Sequence, residues 1–192
     1  SVKATNVENL AGAKVEAQHI DSNKNVRFIK RLILVSYADG TSAYFEDMLE
    51  AVPYTTNYPK LEGATITLLA DVAGAGMRFM ENDMVFDLNG FTYTITKGTG
   101  SQGTNTSGFQ IRPEVTTNVI FKNGTIEVAQ GAPVVWMFNV YATQFIIEDV
   151  VVDCTNMAWG YGESCYVVVS RLGDEVQLLG QTKFENFNSA VA

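Results

Sequence analysis

The sequence predicts an all-β protein, a right-handed parallel β-helix with a short capping α-helix ahead of it, on three observations. From Ala64 onward the apolar residues fall in short alternating runs, and none of these runs keeps helical spacing. A bend residue recurs among the runs, first in Asn89-Gly90, then in Asn123-Gly124, then at Asp149. Between the runs lie connections such as KGTGSQGTNTSG and NMAWGYGES, too long and irregular for tight hairpins. Recurrence at this range implies stacked units, each unable to bury its apolar face alone. An antiparallel β-sandwich is the alternative.

In chain order, residues 1–40 form an N-terminal segment, strand-like in VRFIKRLILVSY, which ends at the turn signal Ala38-Asp39-Gly40. This segment is a candidate assembly arm. Residues 41–192 hold the capping helix and the coils. The stretch TSAYFEDMLEAVP predicts a helix over 42–52: Thr41 or Ser42 caps it, Glu46 and Asp47 suit its positive end, and Pro53 stops it. Its stripe of Tyr44, Phe45, Met48, Leu49 and Val52 closes the first coil.

The coils then run through ATITLLADV, MVFDLNGFTYTI, NVIFKNGTIEV, QFIIEDVVVDC and VQLLGQTKFENF. In MVFDLNGFTYTI, an Asn-Gly pair interrupts an apolar alternation that resumes beyond it. A hairpin there requires an immediate return strand, whereas a stacked coil requires only a bend. The recurrence favours the bend, with Asn89, Asn123 and Asp149 as a polar ladder. Phe86, Leu88, Phe121, Phe145, Ile147 and Val152 fill the interior. The final KFENFNSAVA carries no cap, so that end is either truncated or stacks on a partner.

Charge narrows the partners. Of the net charge of −8, the whole deficit lies in residues 61–192, and a body of that sign repels nucleic acid and acidic membranes. The longest uncharged run, Val128 to Ile147, is too interrupted by polar residues, Gly and Pro for a spanning helix. The chain starts at Ser1 with no leader pattern, as a processed chain or a cloning boundary would. Cys154 and Cys165 flank TNMAWGYGES and can close that loop as a disulfide, worth about 3 kcal/mol, or serve as two buried small apolar residues.

The coil sequences ATITLLADV, MVFDLNGFTYTI and NVIFKNGTIEV, with the helix ending in EAV before them, resemble the pectate-lyase-like right-handed β-helix repeats of large bacterial surface proteins. The resemblance is to adhesin-like proteins of gut bacteria and covers residue 41 to about residue 190. It implies an extracellular or cell-surface setting, with a virion or surface filament as the alternative. It carries no activity by itself, because the same coil holds lyases, hydrolases, tailspikes and inert stalks.

Enzyme motifs of that fold are missing from the sequence. The NTD, DD, GHG and RIK motifs of galacturonan hydrolases do not occur, and the sole histidine, His19, precedes the coils. Arg112-Pro113-Glu114 only faintly resembles a lyase site and reads better as a loop salt bridge. No catalytic residue, metal site or cofactor is assigned. Calcium is the one ion considered, at Glu148, Asp149, Asp153 and Glu163, with Glu148 expected on the face opposite Asp149 and Asp153.

Aromatic residues give the candidate binding site. Trp136, Trp159 and Tyr161, with the Glu163 carboxylate, offer flat apolar faces beside a polar group, which suits a sugar ring. The expected function is a non-catalytic surface adhesin that presents loops to a glycan or a surface protein. The alternatives are a structural subunit that joins copies of itself through its termini, and a polysaccharide lyase or hydrolase.

Overall fold

The computed structural model describes residues 13–14, 29–53, 58–100, 105–112, 115, 117–140, 145–158, 166–169 and 176–186. The fold is all-β, built on a curled and mixed sheet. Strands β1 (Ala13–Lys14) and β2 (Ile29–Lys30) pair antiparallel as a small separate ribbon. Strands β3 (Ile33–Ser36) and β4 (Ser42–Phe45) pair antiparallel across Ala38-Asp39-Gly40, where Gly40 takes a left-handed φ of 82°. Strand β3 also pairs antiparallel with β5 (Thr65–Leu68), so the expected boundary at residue 40 falls inside a hairpin of the main sheet.

The helix expected over 42–52 is instead two elements. Ser42–Phe45 is strand, and only Met48–Ala51 is helix, α1. So short a run, with Ala43, Tyr44 and Phe45 its apolar residues, fits a strand as well as a helix, and β3 supplies Ser42–Phe45 with ladder partners. Asp47, rather than Thr41 or Ser42, is the cap: its carboxylate accepts from the N–H groups of Leu49 at 2.7 Å and Glu50 at 3.2 Å. Met48, Ala51 and Val52 are buried in the same core as β3 and the strands that follow.

From β5 the chain repeats a three-strand course. The first course is β5, β6 (Val72–Ala75) and β7 (Met77–Phe79); the second is β8 (Val85–Asp87), β9 (Thr92–Lys97) and β10 (Ser107–Ile111). The third is β11 (Val119–Val128), which runs through two faces, and β12 (Trp136–Val140). Next come β13 (Phe145–Asp153) with β14 (Tyr166–Val169), and last β15 (Val176–Leu179) with β16 (Lys183–Glu185). Every described pairing between strands from β5 to β16 is parallel, with one isolated antiparallel bridge between Thr99 and Ser107, so the antiparallel sandwich does not describe this region.

The register sorts interior residues into columns. Val35, Ile66, Phe86, Phe121 and Ile147 succeed one another across β3, β5, β8, β11 and β13, all fully buried. Val72, Tyr93, Ile126 and Val152 form a second column. Met77, Phe109 and Phe138 form a third, in which the last two rings stack at 5.4 Å and 20°. Phe121 joins the columns, with edge-on contacts to Phe86, Phe109, Phe138 and Phe145. Each such buried ring contributes roughly 2–3 kcal/mol. All six residues expected inside are buried.

At Asn89-Gly90 the chain turns a corner. Both residues have positive φ, 51° and 83°, and the Phe91 N–H donates to the Leu88 carbonyl, as in a hairpin turn. Yet β8 and β9 do not pair with each other; each pairs with neighbouring courses. Asn123 and Asp149 are single left-handed residues at the matching corner, φ 61° and 55°. These two face each other in register, since Lys122 pairs with Glu148 and Gly124 with Val150.

Asn89 is not their direct equivalent. Asp87 pairs with Lys122 and Thr92 with Thr125, so residues 88–91 occupy the place that residues 123–124 fill in the next course. Asn89-Gly90 is a two-residue insertion. It presses on the course above, where a Cβ at Gly124 would lie 2.5 Å from both Leu88 Cβ and the Phe91 carbonyl. Only glycine fits there.

Candidate functional site

The expected ladder residues sit together at one corner but do not bond to one another. Asn89 Nδ2 donates to the Leu68 carbonyl at 3.1 Å, Asn123 Nδ2 to Asp87 Oδ1 at 3.2 Å, and Asp149 Oδ1 accepts the Gln181 N–H at 2.7 Å. Each ties its course to a neighbour through a backbone or carboxylate partner. Asp87 gathers this corner: it also accepts the Asn89 N–H at 2.9 Å and pairs with Lys122 at 3.4 Å.

The next corner is different. It joins β6 to β7 by Gly76 alone, but β9 to β10 by 98–106, β11 to β12 by 129–135, and β13 to β14 by 154–165. These longer connections are stitched together. The Val135 and Trp136 N–H groups both donate to the Thr106 carbonyl, and the Ala158 N–H donates to Val134. Asn156 Nδ2 reaches the Val128 carbonyl at 3.1 Å. Parallel courses in register leave at the same place, so loops from successive courses become neighbours and form a wall.

Trp136 heads β12 on this wall and is half-buried. Its register partners are Ser107 in β10 and Tyr166 in β14. Trp159, Tyr161, Glu163 and Cys165 lie outside the described residues; in sequence they belong to the connection from β13 to β14. Cys154, which opens that connection, is buried and disulfide-bonded. The chain has one other cysteine, Cys165.

Beside Cys154 stands a polar knot that the sequence reading missed. Asp153 Oδ1 accepts from the Thr155 N–H at 2.9 Å, the Thr155 hydroxyl at 2.5 Å and Asn186 Nδ2 at 3.3 Å. Burial works to raise the Asp153 carboxyl, but the bonds from Thr155 and Asn186 outweigh it and hold it below the ordinary carboxylate value. Asp39 does the same with the Thr41 hydroxyl and N–H, which lower its carboxyl. Asp-x-Thr is a legible turn signature, present in both Asp39-Gly40-Thr41 and Asp153-Cys154-Thr155.

Among the described residues no group of three His, Cys, Asp or Glu side chains is placed to hold a metal. The expectation that Glu148 points away from Asp149 and Asp153 fails, because the left-handed backbone at Asp149 resets the alternation of β13. Residues 146, 148, 151 and 153 all lie on the less buried side, and Asp149 stands at the exposed corner.

On the sheet of β7, β10, β12 and β14, Arg78, Gln110 and Asn139 stand in register. Gln110 and Asn139 are nearly fully buried, and Arg78 is half-buried. No helix among the described residues is long and apolar enough to cross a membrane. Comparisons with family models, with curated proteins and with solved structures each find no match to this chain.

Proposed function

We propose that the chain is a non-catalytic, extracellular protein of bacterial surface-adhesin type, a right-handed parallel β-helix whose stacked courses hold out a wall of loops for a glycan or a surface protein. The observation that carries this reading is the wall: three successive connections leave one corner and hydrogen-bond to each other, with Trp136 at its base. Strand pairing that is parallel in register from β5 to β16 supports the helical path. Loops held by a rigid scaffold are where binding residues are commonly carried.

A glycan array and a surface-protein panel test the reading. The unaltered chain is expected to bind a restricted set of ligands, and Trp136→Ala and Trp159→Ala to lose that binding while the circular dichroism spectrum is kept. A chain that binds nothing on either panel would sink the adhesin reading. Release of unsaturated oligosaccharides from a uronate polymer would instead make it a lyase.

A further inference from the structure

Tyr58 is the one large aromatic side chain that stands exposed among the described residues, at 38%. Its backbone is held on both sides. The Tyr58 N–H donates to Glu81 Oε1 at 3.0 Å, and its carbonyl accepts the Leu61 N–H at 2.8 Å, which closes a 3-10 turn over Pro59–Leu61 with Leu61 buried. This turn rests on the one between β3 and β4, where a Cβ placed at Gly63 would lie 3.3 Å from Ala38 Cβ. The second turn is closed as well, by the Tyr37 N–H to the Thr41 carbonyl at 2.9 Å and the Gly40 N–H to the Tyr37 carbonyl at 3.0 Å.

Three polar groups share this neighbourhood. Lys60 lays its ammonium on the Tyr37 ring, 4.1 Å from the centroid, and no carboxylate among the described residues pairs with it. Tyr37 is only 8% exposed, yet its hydroxyl bonds to nothing among the described residues, where a buried phenol ordinarily finds a partner. Burial, then Tyr58, then the Asp39 carboxylate push that hydroxyl up, so the three side chains lie within electrostatic reach of one another. The Thr41 hydroxyl and N–H, and after them Lys60, hold the exposed Asp39 carboxyl below its ordinary value. It is an acceptor at neutral pH.

We propose that Tyr58, Lys60, Asp39 and the Tyr37 hydroxyl form a second binding site, which takes a neutral sugar residue with adjacent hydroxyls. The Tyr58 ring offers a flat apolar face to the C–H side of the sugar. An ammonium only donates and a carboxylate only accepts, whereas a sugar hydroxyl does both, so Lys60 and Asp39 hold two neighbouring hydroxyls and the Tyr37 hydroxyl gains a partner. A uronate suits the site less, because the carboxylate that Lys60 attracts is repelled by Asp39. Contact with the Tyr37 ring orders the long Lys60 side chain before the ligand arrives, which lowers the entropy lost on binding. This site shares no residue with the loop wall and holds whether or not that wall binds anything.

NMR titration of the full chain with the methyl glycosides of glucose, galactose and mannose, and with glucuronate as the charged control, tests it. At least one neutral glycoside is expected to shift the Gly40 and Gly63 amide signals, which belong to the two turns. Tyr58→Ala and Lys60→Met, both at exposed positions, are expected to weaken that binding about tenfold or more, and Trp136→Ala to leave it unchanged. Shifts that Trp136→Ala removes and Tyr58→Ala keeps would assign the sugar to the loop wall and overturn the proposal. So would a panel on which no neutral glycoside moves these amides, or one on which glucuronate binds as tightly as the neutral sugars.

Discussion

Asn123 shows how one residue type answers a backbone demand. A left-handed φ costs an ordinary L-residue roughly 1–2 kcal/mol, and Asn tolerates it better than most. Its amide also ties the course to Asp87. Asn123→Ala is therefore expected to lose about 1–2 kcal/mol in urea unfolding, whereas Asn123→Gly, which relieves the backbone, loses clearly less. Equal losses would place the whole effect in the side-chain bond. Asp153 makes a different demand. Its carboxyl is held below the ordinary value, so it stabilises the fold above the unfolded carboxylate pKa, and that contribution fades as pH falls through the folded value. Asp153→Asn should flatten the acid limb of melting temperature against pH, and an unchanged limb would show that the bonds from Thr155 and Asn186 add nothing.

Single elements are weaker than the stack they join. A four-residue helix has no stability of its own, and α1 persists because Asp47 caps it and Met48, Ala51 and Val52 are buried. Asp47→Ala is expected to lower stability by about 1 kcal/mol, read as a shift in the unfolding midpoint without a change in slope. The sequence pointed to Met48 and Val52, which are buried, but also to Tyr44, Phe45 and Leu49, which are half-buried, and it misjudged the backbone because Tyr44 and Phe45 suit both periods over so short a run. The interior of the courses was easier to read, since alternation through Phe86, Leu88 and Phe121 admits one inward face. The difference between Asn89-Gly90 and Asn123-Gly124 was not legible. The dipeptides are identical, and only pairing with flanking strands shows that one is an insertion and the other an in-register bend.

At the scale of the whole molecule, strands far apart in sequence are brought into register, with antiparallel strands and a short helix on the N-terminal side. The wall of connections was beyond sequence reading for a related reason: which loops become neighbours depends on the length of every course before them. Its placement bears on how such a chain can change. Gly76 alone suffices to take the chain past that corner, while later courses pass it with much longer stretches and keep their strands in register. Length and composition there are uncoupled from the aromatic interior, so segments can be exchanged or lengthened at this corner without re-registering β7, β10 or β12. The fold thus separates the part of the sequence that must stay fixed from a part that is free to diversify.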